Sequence, residues 1–423
     1  MVAAPEFIQS LCDFRLANGL FRGDRIAALD ELDLDGFRVP RITNEFWPAR
    51  QRQGHSLHEV SYRACFKAEL PRFFIGRLTE PDDRVLDPFM GRGTTVLEAA
   101  LLGRTPIGND VNPLSRILIL GRLAPQDLDA AAARIDVMLG RKDPGPAEDD
   151  PELDAFYHED TLADLRRMKA WFGQREADGE LDPIDAWLRS VATNRLTGHS
   201  SGFFSGRTMP PNQAVSIETQ RKINARLGVA PPKRDVKLIL LKKSRSLLRS
   251  VTPADLERLE RARKALRLVQ GDAGQLDGIE DDSVQCTITS PPFLNVVNYA
   301  RDNWLRCWFN RLDATAIGKG IVTTGSLTGW CAFLERVFAE LFRVTCGSGW
   351  VVFEVGEVRG GKIRLDEAVI PVAARAGFEP VGVAVHSQNF TKTANCWGVS
   401  NNAKGTNTNR LVLLRKPAAG ARA

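Results

Sequence analysis

The sequence has few of the features that cross-link a chain or place it in a membrane. Its seven cysteines are widely spaced and include no C-x-x-C pair, which argues against a disulfide framework and against a zinc cluster. No run of about 18 uncharged apolar residues occurs, and the first residues lack a basic segment followed by a long apolar one. We therefore expect a protein of the reducing cytoplasm that is neither secreted nor membrane-spanning.

Histidine is also scarce, and internal repeats and low-complexity tracts are missing. Of the five histidines, His55 and His58 lie close together but have no cysteine or acidic neighbour at metal-ligand spacing, so no metal site is predicted. The composition, 43% hydrophobic and 26% charged, is typical of a folded protein. A length of 423 residues suits two or three domains rather than one small binding module.

The net charge of +5 is small for this length, but the charge is unevenly distributed. Between Arg221 and Arg267 the sequence has 15 basic and 4 acidic side chains. A local excess of this size favours a polyanionic partner.

The hydrophobic pattern predicts one parallel α/β sheet that is interrupted by a mainly helical insertion. Residues 83–115 have the pattern of a strand, a glycine-rich turn, a helix and a second strand, preceded by a predicted helix at 61–78. The strand pattern then stops for about 150 residues, which is too long for a loop. It resumes in five segments, of which the last two are predicted to form an antiparallel hairpin: 266–276, 283–293, 349–357, 378–387 and 410–416.

This organisation predicts three parts. Residues 1–125 contain the first half of the sheet, residues 126–265 form the basic, helical insertion, and residues 266–423 contain the second half of the sheet. Within the first part, residues 1–50 show short amphipathic helix patterns beside a polar stretch.

The string DPFMGRGTT at 87–95 combines a strand end, a glycine-rich turn and a helix start. Glycines let the backbone approach a ligand closely, and a helix N-terminus offers N–H groups to a carboxylate or phosphate. Asp87 adds an acceptor for an ammonium group. An acceptor for an amine beside donors for a carboxylate is what the methionine half of S-adenosylmethionine needs.

Two further aspartates follow predicted strands. Asp110, in GNDVNP, is placed to accept hydrogen bonds from ribose hydroxyls, although an aspartate at a strand end is often only a helix cap. Asp272, in QGDA, is placed to accept a hydrogen bond from an adenine amino group.

The string TSPPF at 289–293 follows a buried strand. Two successive prolines stop the strand and remove two N–H donors, so the loop offers mainly acceptors. An exocyclic amino group can donate to the Ser290 hydroxyl and to a neighbouring carbonyl, while Phe293 stacks on the ring that carries it. The plain alternative is a Pro-Pro strand terminator. The glycine-rich turn in the same sheet favours the ligand-binding interpretation.

Together, DPFMGRGTT and TSPPF resemble the motifs of the amino-methyltransferase family of DNA modification enzymes. The resemblance covers about 55–115 and 266–416, and it implies a Rossmann-like, S-adenosylmethionine-dependent methyltransferase sheet with a C-terminal antiparallel hairpin. It implies that the cofactor site is lined by Asp87, Pro88, Phe89, Gly91, Gly93, Thr94, Thr95, Asp110 and Asp272. The target base is then held by Ser290, Pro291, Pro292 and Phe293.

The resemblance extends to three finer points. The predicted helix at 61–75, with Lys67, looks like the family's additional cofactor-binding motif. The serine version of the second motif is typical of cytosine-N4 enzymes in this family, whereas aspartate or asparagine is more typical of adenine-N6 enzymes. Many members with this cofactor turn place the catalytic motif first; here the order is reversed, and the insertion between the two motifs becomes the natural candidate for target recognition.

The chain contains no Pro-Cys dipeptide, the usual context of the thiolate that carbon-5 cytosine methyltransferases need. Direct transfer to a nitrogen of a flipped base is therefore favoured. Six basic residues of the insertion are candidates for phosphate contacts with duplex DNA, although they also fit a solvated helical surface: Lys233, Arg234, Lys237, Lys242, Lys243 and Arg245. Arg207, in the polar loop 198–213, is a candidate for reading base edges, although the alternative is an ordinary exposed loop.

The predicted function is a site-specific cytosine-N4 methyltransferase of double-stranded DNA, with a cognate restriction endonuclease as a further expected partner. Adenine-N6 transfer is the first alternative, because the serine biases the base choice without fixing it. An RNA amino-methyltransferase and a catalytically silent nucleic-acid-binding relative are the remaining alternatives.

Overall fold

A computed structural model of the chain describes residues 2–16, 27–34, 36–48, 54–62, 65–148, 150–208, 214–292, 299–321, 324–358, 363–387 and 408–418. The strands are β1 (Ala28–Leu34), β2 (Phe37–Asn44), β3 (Arg84–Asp87), β4 (Thr105–Asn109), β5 (Arg267–Val269), β6 (Val284–Thr289), β7 (Thr345–Val355), β8 (Glu357–Val358), β9 (Ile363–Arg364), β10 (Glu379–Ser387) and β11 (Thr408–Arg415).

The helices that precede β5 are α1 (Ala4–Asp13), α2 (Glu69–Leu78), α3 (Thr94–Leu101), α4 (Pro113–Arg122), α5 (Leu128–Leu139), α6 (Glu159–Ala177), α7 (Pro183–Thr193), α8 (Ile217–Leu227), α9 (Val236–Leu248) and α10 (Pro253–Ala265). The later helices are α11 (Tyr299–Phe309), α12 (Ala314–Gly320), α13 (Leu327–Val344) and α14 (Leu365–Arg375).

Nine strands form one mixed sheet in the order β1-β2-β10-β11-β7-β6-β3-β4-β5, and β8 pairs with β9 separately. The run from β5 through β4, β3 and β6 to β7 is parallel, while β10 and β11 form an antiparallel hairpin. The Rossmann-like α/β class, the C-terminal hairpin and the mainly helical interruption between β4 and β5 are thereby confirmed.

The sheet is covered by helices on both faces, which is why its central strands are apolar throughout. Side chains alternate between two core clusters along β7, since Val351 and Phe353 pack with α13 and α14 while Val352 packs on the opposite face with α1 and α2. The same alternation separates Val85 from Leu86 on β3. A sheet covered on both faces is typical of parallel α/β folds.

The insertion packs directly against the first half of the sheet. Helix α7 crosses α4 so closely that a Cβ on Gly121 would lie 2.4 Å from the Ala186 carbonyl oxygen. The Ser190 hydroxyl donates to the Leu118 carbonyl across the same contact. Because α3 and the helices α5 to α10 contribute to one hydrophobic cluster, the insertion shares a core with the sheet domain. The bounds 126–265 remain a prediction.

Two elements differ from the sequence-based predictions. The predicted helix at 61–78 begins only at Glu69, because Pro71 has no N–H to donate to a preceding turn and fits only within the first turn of a helix. Within residues 1–50 the pattern predicted helices, but among the residues described there only those of α1 are helical, and β1 and β2 form an antiparallel hairpin. Leu32 and Val39 of this hairpin are buried on the face of the sheet that packs against α13 and α14, whereas Ile42 is buried on the opposite face. Strand β2 joins the sheet beside β10.

The order of the strands defines where a ligand site belongs. From β3 the chain moves outward to β4 and β5, and later returns to the other side of β3 with β6 and β7. The direction of winding therefore reverses between β3 and β6, and ligands of open α/β sheets bind at such a switch point, beyond the carboxyl ends of the strands.

Candidate active site

The glycine-rich turn leaves β3 at this switch point. Gly91 and Gly93 have φ of +50° and +75°, in the left-handed region that favours glycine. A Cβ on Gly93 would also lie 2.9 Å from the Ile119 side chain. Gly93 is the N-cap residue of α3 and supplies no capping side chain, so the first N–H groups of this helix are available to an anionic group.

Asp87 lies at the end of β3 and is almost completely buried. Its Oδ1 accepts hydrogen bonds from the Thr289 hydroxyl at 2.7 Å and the Phe89 N–H at 3.2 Å. Burial raises the pKa of Asp87 to about 7, against the effect of these bonds and one from Thr95. A buried carboxylate poised in this way is stabilised in its ionised form by a cationic ligand.

The two aspartates predicted to hold ribose and adenine lie at the neighbouring strand ends. Asp110 accepts hydrogen bonds from the N–H groups of Gly91 and Asn112 at 2.8 and 2.9 Å, so it holds the glycine-rich turn as well as its own loop. Asp272 accepts from the Gly274 N–H and forms an ion pair with Arg336 at 2.9 Å. Both carboxylates are at the predicted edge; their roles towards a cofactor remain proposals.

Asn109 joins these strand ends, and its role was not predicted from the sequence. Its amide group donates to the carbonyls of Pro88 and Gly271, at 3.1 and 3.0 Å, and so links the loops that follow β3 and β5. The Asn109 Oδ1 is buried and accepts no hydrogen bond from the residues that the structure describes. An unsatisfied acceptor of this kind is an expected position for a donor group of a ligand or a water.

A segment from the N-terminal part covers the glycine-rich turn. The Arg92 guanidinium donates to the carbonyls of His58, Val60 and Phe66, and thereby fixes this segment to the turn. Tyr62 lies beside Gly91, since a Cβ on that glycine would be 3.6 Å from the Tyr62 ring.

Lys67, the predicted contribution of the additional cofactor motif, is half-buried. Burial lowers the pKa of Lys67, and the acidic groups that act against this are Glu69 and Glu45. A contact between Lys67 and the cofactor therefore remains a proposal.

The second motif follows β6, directly beside the glycine-rich turn. Ser290 is half-buried and Pro291 is buried, and the Pro292 carbonyl accepts a hydrogen bond from the Trp330 indole at 2.9 Å. The loop therefore offers the Ser290 hydroxyl and the carbonyls before Pro292 to a ligand. Phe293, predicted to stack on the base, lies outside the described residues.

Glu354 completes this part of the site and was not predicted from the sequence. It lies near the end of β7, is 6% exposed, and is hydrogen-bonded to the Ser290 side chain and to the Asn409 amide, the latter at 2.7 Å. Burial raises the pKa of Glu354 to about 7, and the two hydrogen bonds act against the rise. A lone glutamate inside the apolar string GWVVFEV was the available sequence signal.

The seven basic residues predicted to contact DNA fall into two groups. Arg207 is exposed in the loop before α8, and the other six lie on α9 or just before it. Three of the six have acidic neighbours in the insertion or in the N-terminal part: Lys233 with Asp160, Lys237 with Asp136 and Lys243 with Glu59. Lys242 and Arg245 are exposed. The basic excess is therefore partly neutralised within the protein.

The described residues include no group of three or more histidine, cysteine, aspartate or glutamate side chains arranged to hold a metal ion. No helix in the described ranges is sufficiently long and apolar to span a membrane.

Comparison with known proteins gives a family for the part of the chain around the glycine-rich turn. Residues 35–115 match the model of a family described as DNA methylase. Type II methyltransferase M.MjaII of Methanocaldococcus jannaschii is 30% identical over 79 residues, and Type II methyltransferase M.BsoBI of Geobacillus stearothermophilus is 26% identical over 287 residues. These alignments cover 19% and 63% of this chain, and 14% and 55% of the two relatives.

Solved structures with similarity to the chain include the DNA modification methylase TTHA0409 of Thermus thermophilus in complex with S-adenosyl-L-methionine, at 20% identity and a TM-score of 0.23, covering 36% of this chain and 56% of that one. The rRNA methyltransferase aviRa of Streptomyces viridochromogenes matches at 14% identity and a TM-score of 0.34, covering 86% of this chain and 91% of that one. The cofactor expected from the sequence motifs is S-adenosylmethionine. The buried Asp87, the uncapped start of α3 and the unsatisfied Asn109 oxygen fit this cofactor.

Proposed function

We propose that the chain is a DNA methyltransferase that uses S-adenosylmethionine to methylate the exocyclic N4 amino group of cytosine in duplex DNA. The alternative target is the N6 amino group of adenine. The observation that carries the proposal is the 2.7 Å hydrogen bond from Thr289 to Asp87, because it joins the loop for the target base to the turn for the cofactor at the switch point of the sheet.

On the cofactor side, Asp87 pairs with the ammonium group, and the free N–H groups at the start of α3 receive the carboxylate. Asp110 and Asp272, at the ends of the next two strands, are the acceptors for ribose and adenine. When bound, S-adenosylmethionine supplies an electrophilic methyl group.

On the target side, the flipped base enters beside Ser290, whose hydroxyl accepts a hydrogen bond from the exocyclic amino group. Glu354 accepts the Ser290 proton in a hydrogen bond, so both lone pairs of the serine oxygen remain free for the base. With one amino hydrogen held by Ser290 and another by a loop carbonyl, the nitrogen lone pair is directed out of the loop towards the adjacent turn. Positioning then provides most of the rate enhancement.

The experiment that tests the function is mass spectrometry of nucleosides from mixed-sequence duplex DNA, incubated with the protein and isotopically labelled S-adenosylmethionine. We expect labelled N4-methylcytosine, and far less of it after the same incubation time with the Ser290→Ala variant as the control. Labelled N6-methyladenine would select the alternative base. Absence of label from DNA, with the cofactor still bound, would contradict the proposal.

A further inference from the structure

A pocket of about 470 Å³ lies between α9 and the loop that follows α7. Five basic side chains line it against a single carboxylate, that of Asp235; they are Arg195, Lys233, Arg234, Lys242 and Lys243. The carboxylate is already engaged, because it accepts the Leu238 N–H at 2.8 Å and caps the start of α9. The pocket therefore has an excess of positive charge, although Lys233 and Lys243 also have the acidic neighbours Asp160 and Glu59.

Most of these cations lack an acidic partner within the part of the chain that the structure describes. Arg195 donates to the Asn194 carbonyl and stacks on Phe203 at 4.1 Å, but has no ion pair there. Arg234 and Lys242 likewise have none in the described ranges, and the Arg234 Nε is buried with no hydrogen-bond acceptor. A buried, unsatisfied guanidinium N–H is costly unless an acceptor such as an anion reaches it.

The cations also repel one another. Burial, followed by the charge of Arg195, lowers the pKa of Lys243 to about 8, and Glu59 only partly opposes this effect. Burial and the charge of Arg306 lower the pKa of Arg195 to about 10. A bound anion would relieve this repulsion and raise the pKa of Lys243 towards its ordinary value.

The pocket is connected to the candidate active site. Arg306, whose charge acts on Arg195, donates to the Ser61 carbonyl at 2.8 Å and lies over the Tyr62 ring. Tyr62 in turn lies beside Gly91 of the cofactor turn. A group bound in the pocket is thus linked through Arg306 to the segment that covers the active site.

We propose that this pocket binds a phosphate group, supplied by the DNA backbone near the target nucleotide. Several N–H donors around a small cavity suit the oxygens of a phosphate, and arginine is especially suited to such contacts. The inference rests on the proposed function and refines it, because it selects one group of basic residues as the backbone contact and leaves Lys237, paired with Asp136, outside the pocket.

The test compares Lys242→Gln and Lys243→Gln with Lys222→Gln, which removes the same charge from the exposed side of α8, outside the pocket. We expect each pocket variant to weaken binding of duplex DNA by on the order of tenfold. Each should also lower the slope of log affinity against log salt by about one unit, while Lys222→Gln changes neither. Lys242 is exposed, so its substitution leaves the fold intact. The Lys242 variant therefore keeps the test valid if the Lys243 variant misfolds.

A second measurement separates the two sources of phosphate. The phosphorus NMR line of inorganic phosphate should broaden with the wild-type protein and sharpen with Lys243→Gln. An effect on duplex DNA, with or without one on inorganic phosphate, supports the proposal. An effect on inorganic phosphate alone would overturn DNA as the source and assign a free phosphate compound. Equal behaviour of the pocket variants and Lys222→Gln in both measurements would overturn the pocket. DNA bound through the pocket but not methylated would refute the proposed function and leave the pocket standing.

Discussion

The turn after β3 and the loop after β6 lie side by side but present opposite sides of the peptide group. The glycine-rich turn ends at a helix start and offers N–H donors, whereas the two prolines leave the second loop with mainly acceptors. Each region contains a buried carboxylate whose pKa burial raises to about 7, Asp87 in the first and Glu354 in the second. Two carboxylates with similar pKa values thus lie in chemically different surroundings.

The difference lies in what each carboxylate holds. Asp87 accepts hydrogen bonds from Phe89 of its own turn and from Thr289 of β6, and it is placed to neutralise a cationic ligand. Its effect should therefore appear in cofactor affinity. Glu354 holds the Ser290 hydroxyl and should act through that serine, so its effect should appear in the rate of transfer. Two carboxylates with the same pKa therefore need not have the same role. The role of each depends on the groups that donate hydrogen bonds to it.

Ser290→Ala should have the largest effect. Removing the hydroxyl takes away the acceptor for the amino group and leaves Glu354 buried without one of its donors. We expect the single-turnover rate of methyl transfer to fall on the order of 10²- to 10³-fold, as for loss of one positioning hydrogen bond in other active sites. Cofactor affinity, measured by calorimetry, should not change. A matching loss of cofactor affinity would mean that the two regions are not separable.

Asp87→Asn should have the next largest effect, and it should change cofactor affinity rather than the rate of transfer. Loss of the buried charge should weaken cofactor binding on the order of 100-fold, about 3 kcal/mol. In the wild type, affinity should fall about tenfold per pH unit below about 7, because protonation of Asp87 removes the charge that pairs with the ammonium group. This pH dependence should be absent in the variant. Wild-type affinity in Asp87→Asn would refute the assigned role.

The glycine-rich turn could be predicted from the sequence because the residues that form it are adjacent in the chain. Strand end, glycines and helix start are contiguous at 87–95, and the change of period on either side predicts the parallel unit. Pro71 indicates that α2 begins shortly before it, but the apolar spacing over 61–78 favoured a longer helix. The hairpin of β1 and β2 was missed because only Leu32 on β1 and Val39 and Ile42 on β2 are buried, so few apolar positions mark it.

Glu354 and Asn109 could not be assigned a role from the sequence, because their partners are distant along the chain. Glu354 meets Ser290 only once β6 and β7 pair, and Asn409 arrives from a third strand. The excess of basic residues around α9 was visible in the sequence. The sequence could not show which of them line the pocket and which, like Lys237 with Asp136, pair elsewhere. Such distinctions depend on which face of α9 each side chain occupies.

Glu354→Gln tests the loop after β6 with a smaller expected effect on the rate than Ser290→Ala. The amide keeps the size of the side chain but loses the charge that orients the Ser290 proton. We expect the rate of transfer at saturating cofactor to fall on the order of tenfold, the energy of one charge-assisted hydrogen bond. The wild-type rate should decline below pH about 7 as Glu354 becomes protonated, and the variant should lack that decline.

The control for this variant is Glu335→Gln, which removes a similar charge from an exposed ion pair with Arg375. It should leave the pH profile of the rate unchanged. A pH profile of Glu354→Gln identical to that of the wild type would show that another group causes the decline.

Thr289→Val should have the smallest effect and is the sharpest test of the link between the two regions. Valine matches the volume of this fully buried threonine but removes the hydroxyl that donates to Asp87. Because that hydrogen bond favours the ionised carboxylate, its loss should raise the pKa of Asp87 and move the pH dependence of cofactor affinity upward. At pH 7 the affinity should fall only severalfold, and it should recover at higher pH, as a titration of cofactor binding against pH would show. A uniform loss at all pH values would mean that Thr289 supports the packing of the site rather than the charge of Asp87.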